Sequence, residues 1–281
     1  MLSTYSLHKV TSEDNFSFDP TEYSRFKFGD NAISKSFGLS LADGFINKHL
    51  AQNPIEEQIV VISSPYSFIP TATYAMKNYF VFQLNKWLAE NNYPVVQEAK
   101  VHRTITYKED YGELNAHERM NLIGNDIFHI DKSFLNNKVL LFLDDIRITG
   151  SHERMILKMV NEYCLNNRIH MIYFAELINK NIHPSIENYL NYYHVKSIFD
   201  LDNIINSKGF SINTRTVKYI LIYEFENFKS FILNQSSEFV YNFYNMAVGN
   251  SYHTIEAYSR NLNFIREHLL INNNILTEHG N

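Results

Sequence analysis

The run Val139-Leu140-Leu141-Phe142-Leu143-Asp144-Asp145-Ile146-Arg147-Ile148-Thr149-Gly150-Ser151-His152 limits what this chain can fold into more than any other stretch. Its first five residues are apolar without a break, the pattern of a strand covered on both faces in a parallel sheet. Two acids come next, then Thr149-Gly150-Ser151 at a tight turn, then a helix expected to reach about Leu165. Open α/β folds bind ligands outside the carboxyl ends of their strands, which is where this acid pair falls. The first N–H groups of the helix lack intrahelical partners and favour an anion. A sugar phosphate suits both halves, with its hydroxyls on the acids and its phosphate in the turn. The plainer alternative is a strand ending in solvated acids, with Ser or Thr as an ordinary N-cap.

The flanking segments repeat the alternation of strand and helix. Residues 58–62 form a β-branched apolar run, and Ser63-Ser64-Pro65-Tyr66-Ser67 after it offers hydroxyls and backbone N–H groups to an anion. The Ser64–Pro65 bond is a candidate for the cis isomer. Residues 71–89 have helical character and carry the single Trp87, expected in the core. A strand follows within 93–101, with Lys100, His102 and Arg103 at its far end. Residues 104–116 have little apolar periodicity and predict a long mobile loop, with a helical turn at 117–122. Strands are expected at 169–174, with Glu176 near the carboxyl end, and at 194–199. The spacing from 58 to 200 predicts an α/β fold, a doubly wound and mainly parallel sheet.

The two ends differ from this middle. Residues 1–20 are polar and predict an irregular arm, drawn as 1–22, before the α/β domain at 23–200. Asp30 or Asn31 is positioned to cap a helix carrying Ile33, Phe37, Leu41 and Phe45. Beyond 200, Val217, Ile220, Leu221, Phe228 and Phe231 make a helical stripe, and Ile255, Tyr258, Leu262 and Ile265 make another. Residues 201–281 therefore read as a helical extension whose apolar faces serve a core or a dimer interface.

Composition narrows the function classes. With 45% apolar and 15% aromatic residues in 281, the chain buries a large core and is not disordered. A net charge of −5 argues against a broad nucleic-acid surface. The single Cys164 excludes an intrachain disulfide and is expected as a buried thiol inside the helix after the motif. His102, His117, His129 and His152 are too scattered for a metal-ligand spacing. Residues 1–10 have no signal-type apolar core. The uncharged stretch 59–76 is broken by Ser63, Ser64, Pro65 and Pro70, so no membrane span is expected. These features predict a soluble cytoplasmic protein.

The motif 139–151 resembles the signature of type I phosphoribosyltransferases that binds 5-phosphoribosyl 1-diphosphate (PRPP). Two further segments are similar to the ComF-like branch: Phe26-Lys27-Phe28-Gly29-Asp30, and Leu114 to Leu122 with Glu118, Arg119 and Asn121, followed by Phe128. The resemblance covers roughly residues 23–165 and leaves the tail beyond 200 outside. It implies transfer of ribose 5-phosphate from PRPP to a nucleophile, with Mg²⁺ as cofactor and release of pyrophosphate, while the homodimer expectation rests on the apolar stripes of the tail. It also implies that Asp144 and Asp145 hold the ribose hydroxyls and meet Mg²⁺ through water. The 5′-phosphate cradle would be Arg147, Ile148, Thr149, Gly150, Ser151 and His152. Ser63, Ser64 and Ser67 would form the pyrophosphate loop, and Lys100, Arg103, Lys108 and Arg119 would close over it.

Three departures bear on the phosphate corner, the pyrophosphate loop and the acceptor. His152 stands where the family usually has Thr or Ser. Ile148 stands where purine-salvage members often carry an Asp, and an apolar side chain cannot be a general base. Another group, with Glu176 as a candidate, would then activate the acceptor, or the acceptor is a good nucleophile already. The branch's Arg-Gly-Phe-Asn segment after the first core strand is missing. The acceptor stays unidentified on these residues, and a PRPP-binding regulator without catalysis is the competing class.

Overall fold

The computed structural model describes residues 2–53, 55–103 and 128–271. Five strands make one sheet in the order β1-β7-β6-β2-β3, and every pairing in it is parallel. The strands are β1 (Leu2–Val10), β2 (Ile59–Ser63), β3 (Gln97–Ala99), β6 (Val139–Arg147) and β7 (Ile169–Leu177). Two two-residue strands, β4 (His102–Arg103) and β5 (Phe128–His129), pair with each other antiparallel.

Strand side chains alternate between the two faces, and each face has its own cover. Val61, Leu141, Leu143, Ile172 and Phe174 pack beneath helices α1 (Pro20–Lys27), α2 (Asn31–Phe45) and α3 (Ala72–Glu90). Val60, Ile62, Leu140, Phe142, Met171 and Tyr173 pack beneath α4 (Ser151–Glu162) through Met155, Ile156 and Met159. The unbroken apolar run of β6 is thus explained by burial on both sides. Asp30 caps α2 by accepting the N–H groups of Ala32 and Ile33, and Thr71 caps α3 through Tyr74.

Four longer helices end the chain: α5 (Thr214–Ile222), α6 (Phe225–Leu233), α7 (Ser237–Gly249) and α8 (Glu256–Ile271). They bury Val217, Ile220, Phe228, Phe231, Phe243, Tyr258 and Ile265 in a core of their own. Phe28 and Ile69 reach into that core from the α/β region. Polar bonds run along the same seam. Asn213 Nδ2 donates to the Lys27 carbonyl at 3.1 Å, Thr216 Oγ1 to the Phe28 carbonyl at 3.0 Å, and Ser211 N–H to the Gly29 carbonyl at 3.0 Å. Thr214 donates its N–H to the Pro70 carbonyl and its hydroxyl to that of Ile69. The terminal helices are fastened to the two turns, 27–30 and 64–71, that flank the acid pair.

Several expectations change. Residues 2–10 are no irregular arm but the edge strand β1. Their polar side chains are satisfied across the sheet: Ser3 by His170, and Ser6 and Lys9 by Glu176. Strand β6 runs past the acids to Arg147, with Asp144 opposite Tyr173 and Arg147 opposite Glu176. Residues 194–199 form no strand. Val195 and Ile198 are buried three apart, and Ser197 with Asp200 makes a capping box that opens a 3₁₀ turn at Ile198–Leu201. Helix α4 ends at Glu162, and Cys164 lies beyond it, exposed and at φ +50°. The Pro65 peptide is trans. Among the described residues, no helix is long and apolar enough to cross a membrane.

Candidate active site

Asp144 and Asp145 are consecutive on a strand, so their side chains leave opposite faces, yet Thr73 Oγ1 reaches both, 3.4 Å from Asp144 Oδ1 and 3.1 Å from Asp145 Oδ1. Asp145 turns towards α1 and α3. Its Oδ2 accepts from the Tyr23 hydroxyl at 2.6 Å and from the Lys27 ammonium, and its Oδ1 accepts from Thr73 Oγ1 at 3.1 Å. Tyr23 and Lys27 lie one turn apart on α1, so one helix face delivers both donors. Burial first, and then the Asp145 charge, pushes the Tyr23 phenol far above its usual range and keeps its O–H a donor.

Asp144 turns towards β2 and α4. Its Oδ1 accepts from Ser64 Oγ at 2.6 Å, and its Oδ2 pairs with His152 Nδ1 at 2.6 Å. Burial alone raises an acid's pKa, but here the His152 charge and hydrogen bond, the Ser64 bond and the Lys27 charge outweigh it. The Asp144 carboxyl is held well below the carboxylate range. A cavity of about 10 Å³, lined by Ser63, Ser64, Asp144, His152 and Tyr173, remains beside it. That is room for about one water.

The turn after β6 gathers two hydroxyls, a left-handed glycine and two guanidinium groups. Gly150 sits at φ +69° and precedes the first turn of α4, a left-handed conformation that glycine adopts without a Cβ clash. Thr149 Oγ1 and Ser151 Oγ are 2.8 Å apart. Arg154 braces the turn, donating to the Thr149 carbonyl at 2.9 Å and to Ser151 Oγ at 3.0 Å. An ideal Cβ on Gly150 would lie 3.4 Å from Arg147 Nη2 and 3.4 Å from Arg154 Nη1, so two guanidinium groups flank the glycine. Arg147 is itself bound by Glu176 at 2.7 Å and Glu153 at 2.8 Å.

The sequence assignments therefore divide. Thr149, Gly150, Ser151 and Arg147 meet at the turn. Ile148 also belongs to the turn, and its side chain is partly buried, packed against the core under α1–α3. His152 is turned to Asp144. Ser64 joins the acid pair, Ser63 lines the small cavity, and Ser67 offers its carbonyl to Lys100 Nζ at 2.9 Å. Lys100 also lies 3.9 Å over the Tyr66 ring, which docks it on the serine loop. Arg103 contributes backbone to β4. Lys108, Arg119 and the expected loop at 104–116 lie outside the described residues. Glu176 accepts from Ser6 at 3.0 Å and pairs with Lys9 and Arg147. Burial would raise its pKa, but the Lys9 and Ser6 bonds and the Arg147 charge hold the carboxyl below its ordinary value, leaving it a weak base.

Tyr23, Lys27, Thr73 and Arg154 were not picked out as site residues. Lys27 belongs to the segment Phe26–Asp30, Tyr23 lies four places before it, and Arg154 lies three places after Ser151. Nothing local marks Thr73.

Mg²⁺ is implied by the resemblance, and the donor set accepts it in part. Among the described residues no group of three His, Cys, Asp or Glu side chains is arranged to hold a metal. Asp144, 16% exposed, fits a contact made through water. Asp145, 8% exposed with both oxygens taken, does not.

The model of the family described as "PRTase ComF-like" matches residues 1–265, so the match includes β1 and nearly all of the tail that the motif resemblance left out. No curated protein sequence matches the chain. Among solved structures, a hypoxanthine phosphoribosyltransferase from Staphylococcus aureus is 10% identical, over 52% of this chain and 75% of that one, at a TM-score of 0.33. A hypoxanthine phosphoribosyltransferase variant from Trypanosoma cruzi, complexed with the product IMP, is 12% identical over 55% of this chain and 80% of that one, at a TM-score of 0.30.

Proposed function

The chain belongs to the ComF-like phosphoribosyltransferase family, and on that premise we propose that it transfers ribose 5-phosphate from PRPP to a nucleophilic acceptor. The C1′–O bond to pyrophosphate breaks, its electron pair leaves with the pyrophosphate, and the acceptor's lone pair forms the new bond at C1′. The observation that carries the reading is the joint geometry of Asp144 and the Thr149–Ser151 turn. A carboxylate and an anion cradle flanked by two guanidinium groups stand eight residues apart or less on one strand–turn–helix unit.

In this reading the backbone N–H groups at the start of α4, with Arg154 and Arg147, take the 5′-phosphate. Asp144 takes a ribose hydroxyl and stabilises positive charge developing at C1′. Ser64 and His152 release Asp144 in exchange for the sugar. The serine loop with Lys100 faces the pyrophosphate. Mg²⁺, when bound, supplies positive charge to the leaving group, and Asp144 would hold its water shell.

Calorimetric titration of PRPP with and without Mg²⁺, on the natural chain and on Asp144→Asn, tests this. Mg²⁺-dependent binding that the substitution weakens at least tenfold, about 1.4 kcal/mol, is the expected result. No heat from folded protein in either condition rejects PRPP as the ligand.

A non-catalytic binder of PRPP or a nucleotide is the second reading. It is favoured by the apolar Ile148 packing against the core and by Glu176 being paired on both sides, which leaves neither of them a general base among the described residues. Pyrophosphate release with a panel of amines and nucleobases separates the two.

A further inference from the structure

Lys27 has no place in the transfer scheme above, yet it is the ammonium group bonded to the acid pair. Lys27 and Asp145 are 11% and 8% exposed at their side chains, so solvent screens the pair weakly. The carboxylate is gripped from three sides, by Lys27 and Tyr23 of α1 and by Thr73 of α3. The end of α1 that carries Lys27 is fixed from outside the sheet. Its own carbonyl accepts Asn213 Nδ2, the next carbonyl accepts Thr216 Oγ1, and Ser24 Oγ donates to the Asn191 carbonyl. The ammonium is therefore delivered to Asp145 by elements that belong to the terminal helices and to the segment before them. Two adjacent carboxylates in a partly buried place require compensating charge. Asp144 obtains part of it from His152, and Asp145 obtains it from Lys27.

We propose that Lys27 is the resident counter-ion of the acid pair, a positioning residue that holds Asp145 inward and occupies the place a divalent cation would otherwise take. The proposal rests on the reading of the acid pair as the sugar-binding element. It has two consequences. The free protein holds no divalent ion at the pair, so any Mg²⁺ enters together with the pyrophosphate-bearing donor. Asp144 alone then meets the ribosyl group, and Asp145 keeps the α1 face and β6 in register beneath it.

The test is a Mn²⁺ titration followed by electron paramagnetic resonance on the full chain without PRPP. The natural protein is expected to show no Mn²⁺ site of micromolar affinity. Lys27→Met is expected to gain one, and the double variant Lys27→Met/Asp145→Asn to lose it again. Lys27→Arg retains a cation and is expected to behave as the natural chain does. A Mn²⁺ site in the natural protein that Asp145→Asn abolishes overturns the proposal, and this arm needs no variant of Lys27 to fold. A folded Lys27→Met that gains no Mn²⁺ site overturns it as well. PRPP calorimetry on the same proteins is expected to show at least a tenfold loss for Lys27→Met and a smaller loss for Lys27→Arg. If the natural chain does not bind PRPP at all, the transferase reading fails while the Mn²⁺ result still decides the role of Lys27.

Discussion

The side-chain oxygen of Asn250 accepts the backbone N–H of Phe68 at 2.9 Å, joining residues 182 positions apart. The same oxygen accepts the N–H of Ile69 at 3.1 Å. Ile69 and Asn250 are both buried. One amide at the end of α7 thus satisfies two donors in the serine loop, which otherwise has no regular pairing to fall back on. Asn250→Ala is expected to cost about 1–3 kcal/mol, the penalty of leaving the buried Ile69 donor unmet. Hydrogen exchange should quicken at residues 68–69 while the amides of β6 and β7 stay protected. Asn250→Asp keeps an acceptor oxygen in place and should restore most of that protection.

The core strand and its turn were legible because their signals are local. Five apolar residues, a glycine and a hydroxyl pair are read within one window. Strand β1 was not, because the partners that make Ser3, Ser6 and Lys9 acceptable in a sheet lie on β7, 167 to 170 positions away. The partners of the acid pair were hidden for the same reason. Tyr23 and Lys27 are 122 and 118 positions from Asp145, and Thr73 is 72 positions from it. Arg147 shows the converse limit. Its place in the motif was visible, but its commitment to Glu153 and Glu176 depends on strand register, which no spacing in the sequence specifies.

Gly150 offers a direct test of the turn. At φ +69° an alanine is strained by roughly 1–2 kcal/mol, and its Cβ would stand 3.4 Å from both neighbouring guanidinium groups. Gly150→Ala should lower the urea midpoint by a corresponding amount. It should also weaken ribose 5-phosphate binding, read by calorimetry, by more than the stability loss alone explains.

Acid should destabilise the protein in two steps. Burial first, and then the Arg168 and His49 charges, lowers the His170 imidazole from 6.5 to about 4. The folded state keeps this ring neutral, and the unfolded chain takes up its proton below about pH 6.5. Stability is therefore unaffected by this group above that pH and falls as pH drops from about 6.5 to about 4. Partial exposure of the ring limits the loss to the order of 1–2 kcal/mol. Asp144 and Glu176, both held low, act in a lower window: their contribution is lost only as pH falls below the ordinary carboxylate range. Melting temperatures measured from pH 7 to pH 4.5 should decline, and His170→Asn should flatten that decline without changing the steeper fall below it. His49 and His8, also lowered by burial, keep some slope in the variant.

Arg154 separates bracing from phosphate binding. It holds the Thr149 carbonyl and the Ser151 hydroxyl from the outer side of the turn, and its guanidinium stands beside Gly150. Arg147, on the other side, is already paired with two carboxylates, Glu153 and Glu176, whereas the hydrogen bonds that Arg154 makes to the turn are ones a phosphate seated there would share. Arg154→Ala is expected to weaken ribose 5-phosphate at least tenfold, about 1.4 kcal/mol. The melting temperature should change little, because a partly exposed arginine contributes modestly to stability. Arg147→Ala should give the opposite balance: it leaves Glu153 and Glu176 facing each other across the end of β6 without their shared cation. Calorimetry and thermal melts on the two variants, run side by side, read this exchange of effects. If Arg147→Ala abolishes binding while Arg154→Ala leaves it intact, the phosphate sits on the strand side of Gly150 and the proposed orientation is reversed.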